Sequence, residues 1–159
     1  MRHQRYQKFD IRPKKVEYDD IRFDSKLELL FYKRIIKYPS LHVVYNPLLR
    51  GSSWKWKVDF GLYPANETGR SLLQRFNNRH GVFLFVEIKG ILDKNFLRKY
   101  NSIIREEINN DIIILSTDYK AAIFPDTTQS PLGYLVKPVY PMKVFFDILD
   151  NSNGNISRH

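Results

Sequence analysis

Residues 82–90 read Val82-Phe83-Leu84-Phe85-Val86-Glu87-Ile88-Lys89-Gly90. An unbroken apolar run of this length is the pattern of a strand buried on both faces. It ends in a carboxylate and an ammonium, and charges at such a place must be paired, metal-bound or solvated in a cleft. Side chains two apart on a strand share a face, so Glu87 and Lys89 reach toward the same point. The acid-x-lysine tripeptide occurs three times, at Asp24-Ser25-Lys26, Glu87-Ile88-Lys89 and Asp118-Tyr119-Lys120. Only the second closes an apolar run. The other two lie among polar residues and read as solvated. Gly90 follows at once and would permit a close approach of backbone or ligand.

Upstream of this strand, Trp54 to Tyr63 reads as a second strand, carrying Asp59 between Val58 and Phe60. Its bland alternative is an edge-strand acid facing water. Asp24-Ser25-Lys26-Leu27-Glu28 opens a helix whose apolar stripe is Leu27, Leu30, Phe31, Ile35 and Tyr38, with Pro39 as its stop. Ser25-x-x-Glu28 is also a capping box, which by itself would account for Glu28.

Elsewhere, Val16 to Phe23 predicts a short strand or a hairpin with a turn at Asp19-Asp20, and Leu41 to Tyr45 a strand followed by a loop from Pro47 to Ser53. Residues 64–80 predict a polar, basic excursion between neighbouring strands, with a helical turn or more. Asp93 can cap a helix over 94–108, and Asp111 to Ser116 is another buried strand. Pro125 to Pro141 holds four prolines and reads as a surface segment, and Met142 to Leu149 as a closing helix. The expected architecture is one α/β domain over 16–150 with a mixed central sheet flanked by helices. A basic arm (1–15) and a flexible tail (151–159) would bracket it.

The 159 residues include 26 Lys or Arg against 17 Asp or Glu, a formal charge of +9, which favours a polyanionic partner and above all nucleic acid. Eleven Phe, ten Tyr and two Trp argue for a sizeable core. No cysteine is present, which excludes a disulfide framework and thiolate metal sites. No apolar stretch approaches a membrane span of about 20 residues, and the N-terminus lacks the apolar core of a secretory signal, so a cytoplasmic location without membrane contact is expected. Walker-type loops and G-x-S-x-G elbows are absent, and the four histidines lack ligand spacing. No small-molecule cofactor is expected. Two or three carboxylates and a lysine suit Mg²⁺, which takes oxygen ligands and keeps several waters, for in-line displacement at a phosphate.

The order Glu28 on the first helix, Asp59 on a strand, then Glu87-x-Lys89 closing the next resembles the PD-(D/E)xK nuclease superfamily. Within it, the nearest likeness is to phage endonuclease I-type Holliday (four-way) junction resolvases and related small phage nucleases. The stretches that carry it are Phe23 to Glu28, Val58-Asp59-Phe60, Val86 to Gly90, Ile103-Ile104-Arg105-Glu106 and the strand 111–116. Together they span about two-thirds of the chain.

The resemblance implies a restriction-endonuclease-like core and a homodimer cutting branched DNA in phage or bacterial host cytosol. Asp59, Glu87 and the Ile88 carbonyl would hold Mg²⁺, with Mn²⁺ able to substitute. Glu28 would support a second metal, and Lys89 would serve the attacking water. Val58 stands where the motif has proline, and the 64–80 excursion is long for a junction resolvase. A sequence-specific endonuclease of homing or restriction type, a transposon-type strand-cutting subunit, and a catalytically silent DNA-binding module are the alternatives. DNA contacts are expected from Arg2, Arg5, Lys8, Arg12, Lys14 and Lys15 in the arm. Arg70, Arg75 and Arg79 in the excursion, and Lys94, Arg98 and Lys99 on the following helix, would add to them.

Overall fold

The computed structural model describes residues 15–76, 80–90, 95–96, 111–116 and 139–154. Strands β1 (Val16–Tyr18) and β2 (Ile21–Phe23) pair antiparallel across Asp19 and Asp20, whose φ angles are 55° and 58°. Two consecutive left-handed residues give the tight turn that matches strand twist, and Asp tolerates that region better than most side chains. The expected hairpin is present.

Helix α1 (Lys26–Ile35) follows, capped by Ser25, whose hydroxyl accepts the Glu28 N–H. Its buried positions are Glu28, Phe31, Tyr32 and Ile35, spaced i, i+3, i+4, i+7. Leu30, expected in the stripe, is 56% exposed. The stripe is rotated toward Glu28, an acid that a hydropathy pattern does not assign to the interior.

The main sheet has five strands in the order β3 (Leu41–Tyr45), β6 (Phe60–Pro64), β7 (Leu84–Lys89), β8 (Ile112–Ser116), β9 (Val139–Pro141). The pairings β3–β6 and β6–β7 are antiparallel, and β7–β8 and β8–β9 are parallel. The apolar run that ends at Lys89 is thus the middle strand of a mixed sheet.

Two more strands, β4 (Leu48–Arg50) and β5 (Lys55–Lys57), form a separate ribbon. They correct two expectations: the loop at 47–53 contains a strand, and the single strand over 54–63 is broken. The pairing register shows why. Tyr45 opposes Phe60 and Leu48 opposes Lys57, with Asn46 N–H donating to the Asp59 carbonyl (2.9 Å) and Val58 N–H to the Pro47 carbonyl (3.1 Å) between them. This is one long hairpin in constant register, bent at Asn46-Pro47, where Asn46 is left-handed (φ 55°).

The bend exchanges faces. Trp56 and Val58 pack with Phe85, Ile112 and Ile114, whereas Phe60 and Leu62 pack with Phe31, Val86, Ile113 and Phe145. In a straight strand these four alternate residues would share one face.

Helix α2 (Glu67–Gln74) occupies the excursion between β6 and β7, and α3 (Met142–Gly154) closes the described chain. The α3 helix runs past Leu149 into the expected tail, and Pro141 lies in β9. Helices α1, α2 and α3 all contribute to the larger core on one face of the sheet. There Phe23, Phe31, Phe60, Phe145 and Phe146 are fully buried, each worth about 1.5–3 kcal/mol of transfer free energy. On the other face the ribbon, through Leu49, Trp54 and Trp56, joins Phe96 over the smaller core. The expected helix over 94–108 lies largely outside the described residues, of which Asn95 and Phe96 are helical.

Candidate active site

The β6–β7 ladder ends at Phe60 opposite Val86, because the hairpin bend carries Asp59 and Val58 out of the sheet. The N–H of Ile88 therefore has no β6 carbonyl to meet. It donates instead to Asp59 Oδ2 at 2.7 Å. In return, the Asp59 N–H donates to Glu87 Oε2 at 3.3 Å. Side chains replace the ladder where it fails, and two acids are brought together by the replacement. In an antiparallel ladder a residue's N–H and C=O point to the same neighbour, so the Ile88 carbonyl faces this vacated edge too.

Glu87 is 3% exposed and its Oε1 lies 2.8 Å from the Lys89 ammonium, whose side chain is 32% exposed. The two share the sheet face of Phe85, and the ammonium sits 4.9 Å from the centre of the Phe96 ring. The lysine thus pairs with its neighbouring acid while keeping one side open. Among the described residues, a Cβ at Gly90 would meet nothing within 4 Å.

Glu28 comes from the start of α1. Its Oε2 accepts from the Tyr45 hydroxyl (2.8 Å) and the Asp24 N–H (3.1 Å), and its Oε1 from the Ser25 hydroxyl (3.2 Å). Both oxygens serve the helix start, one residue upstream of the usual capping-box contact. Tyr45 was not singled out from the sequence. Burial, then its bond to Glu28, raises its phenol above the ordinary range.

Charge is unbalanced here. Burial first, and then the Glu87 carboxylate, push Asp59 from 3.8 to about 8, against the stabilising Ile88 N–H; Glu28 adds to the rise and Lys89 opposes it. For Lys89, burial would lower the ammonium, but Glu87, Asp59 and Glu28 outweigh it and the net shift is upward. Among the described residues Glu87, Asp59 and Glu28 all act on Lys89, and their crowding favours the protonated form of Asp59. The donors are all oxygen, the set that suits a hard cation. Among the described residues no three His, Cys, Asp or Glu side chains are grouped closely enough to hold a metal as they stand.

The other expected contacts are scattered. Lys15 pairs with Asp24 at 3.4 Å, both exposed. Arg70 donates to the His80 carbonyl (3.0 Å) and lies 3.8 Å from Glu67. It braces the entrance to β7, roughly 17 Å of strand away from Lys89. Arg75 is exposed at the end of α2. Arg2, Arg5, Lys8, Arg12, Lys14, Arg79, Lys94, Arg98 and Lys99 lie outside the described residues. No helix among the described residues is long and apolar enough to cross a membrane. Comparison of the sequence with protein-family models and with curated proteins finds no match.

Proposed function

We propose that the chain is a Mg²⁺-dependent DNA endonuclease built on a restriction-endonuclease-like core, acting on four-way junctions as a homodimer in the cytosol. The observation that carries this reading is the convergence of Asp59, Glu87 and Lys89 at the point where the β6–β7 ladder breaks. Two acids that meet across a broken ladder, each disfavouring the other's charge, would form a cation site.

Asp59, Glu87 and the Ile88 carbonyl would hold Mg²⁺ or Mn²⁺, which would stabilise charge on the attacking and leaving oxygens of a phosphodiester. Before that, Asp59 must give up its proton and Glu87 must share its negative charge between the cation and Lys89. Lys89, held as an ammonium, donates to a water or phosphate oxygen and offsets negative charge as it builds. Glu28, behind Asp59 and fixed by Tyr45 and Ser25, supports the negative potential of the site. The net charge of +9 supplies attraction for the DNA backbone.

The test is cleavage of four-way junctions, Y-forks and linear duplex, each with and without Mg²⁺. Junction cutting that requires the metal and exceeds duplex cutting is expected. Absence of cutting on all three with Mg²⁺ or Mn²⁺ overturns the reading.

A further inference from the structure

The β4–β5 ribbon has a face that the catalytic cluster does not use. Arg50 opposes Lys55, Leu48 opposes Lys57, and all four side chains are exposed. Between them, Leu49 and Trp56 point the other way, onto Val58, Phe85, Ile112 and Ile114. The outward face thus carries three cations. Among the described residues none of the three takes part in a salt bridge.

Like charges placed directly opposite each other across a ladder are destabilising. Arg50 and Lys55 are so placed, with Lys57 two residues on. The ribbon is seated on the smaller core through Leu49, Trp54 and Trp56. Gly51 N–H closes the tip by donating to the Trp54 carbonyl at 2.9 Å, and a Cβ on Gly51 would lie 2.1 Å from the indole nitrogen. A larger residue at 51 would require the Trp54 indole to move. A fixed cluster of unpaired cations on a two-stranded ribbon is suited to a polyanion, because the partner removes the repulsion and little ordering is needed on binding.

We propose that the outer face of the ribbon binds the phosphate backbone of the DNA and leads it to the acid cluster. Lys57 is separated from Asp59 by Val58 alone, so a strand lying along Arg50, Lys55 and Lys57 arrives at the bend. Lys55 and Lys57 are about 6.8 Å apart along the strand, the rise of about two phosphates on one DNA strand. Nucleic acid fits better than a lipid surface, since both ribbon tryptophans face the core and only Leu48 offers an outward apolar side chain; interfacial binding relies on such anchors. The proposal takes its partner from the proposed function, but it concerns binding and not cleavage.

The test therefore uses metal-free binding. The triple variant Arg50→Gln/Lys55→Gln/Lys57→Gln should reduce the log–log salt slope for junction and duplex DNA by about 2 to 3, at roughly 0.9 per lost phosphate contact. A control, Lys26→Gln/Lys37→Gln/Lys143→Gln, removes the same charge from exposed sites away from the ribbon and should change the slope by less than about 1. Should the triple variant unfold, Lys55→Gln and Lys57→Gln singly should each lower it by about 0.9. An unchanged slope overturns the proposal, as does an equal change in the control. Tighter wild-type binding to phosphatidylglycerol vesicles than to DNA, lost in the ribbon variant, also overturns it. If DNA binding depends on the ribbon but no substrate is cut, the endonuclease reading fails and this proposal stands. Cleavage with an unaffected slope gives the reverse.

Discussion

The central strand β7 has a base–acid pair near each end, and the two pairs behave differently. At its entrance His80 Nε2 lies 2.7 Å from Asp111 Oδ1, while His80 Nδ1 accepts the Val82 N–H at 2.9 Å. One ring nitrogen donates and the other accepts, so every group is satisfied by a neutral histidine. Arg70 holds the His80 carbonyl, Gly81 makes the turn with φ +62°, and the Phe83 ring packs 4.6 Å from the imidazole. At its exit Lys89 and Glu87 are as close, at 2.8 Å, but two further carboxyl groups, Asp59 and Glu28, act on the same lysine. A satisfied pair is a clip. A pair crowded by further carboxyl groups is a candidate cation site.

The largest effect that would break this contrast is on cleavage. Glu87→Gln and Asp59→Asn should each lower the cleavage rate by about 10²–10³-fold, the scale of removing a charge-stabilising group from an active site. His80→Ala should leave it within a few-fold at a temperature where the fold is intact. Equal losses at both ends, read in single-turnover assays, would mean that the two pairs do the same job.

Glu28→Gln sharpens the comparison inside the site. Glutamine can accept from Asp24 and Tyr45 through its oxygen and donate to Ser25 through its amide, so the helix start is kept. Cleavage should fall by ten-fold or more, about the cost of disturbing a supporting group, with the melting temperature unchanged or slightly raised. Full activity would make Glu28 a cap and nothing more.

Asp59→Asn should also change how stability depends on pH. The carboxyl holds its proton more tightly folded than unfolded, so the stability it contributes is present below about pH 4 and lost as pH rises toward about 8. Without metal, the variant should melt with wild type below about pH 4 and above it by about 2–4 °C at about pH 9, if about 1 kcal/mol of repulsion is relieved. A gap that does not widen with pH would show that Asp59 is not crowded by its neighbours.

The smallest effect belongs to the clip. His80→Ala gives up two hydrogen bonds on a side chain that is 38% exposed, and should cost about 0.5–1.5 kcal/mol. Urea unfolding would read this as a lower midpoint with the same slope.

Much of this was legible locally. The Asp19-Asp20 turn, the Ser25 cap and strands 41–45, 84–89 and 112–116 follow from turn chemistry, capping and apolar runs, all of which depend on neighbours in sequence. So do Glu87 and Lys89 on one face, two residues apart. Tertiary structure alone decided where Asp59 goes. The dipeptide Asn46-Pro47 signals a break, but no local rule says that the opposing strand must break with it. It does, because a hairpin in fixed register bends as a unit, and the bend strips Ile88 of its ladder partner and sets a carboxylate in its place. Leu30 is exposed while Glu28 is buried for a similar reason. A hydrogen-bonded acid can occupy an interior position, and its partner, Tyr45, lies seventeen residues along the chain on another element. The sequence determined which groups exist and which share a face. The tertiary structure determined which charges must meet, because meeting depends on the path of the backbone between them.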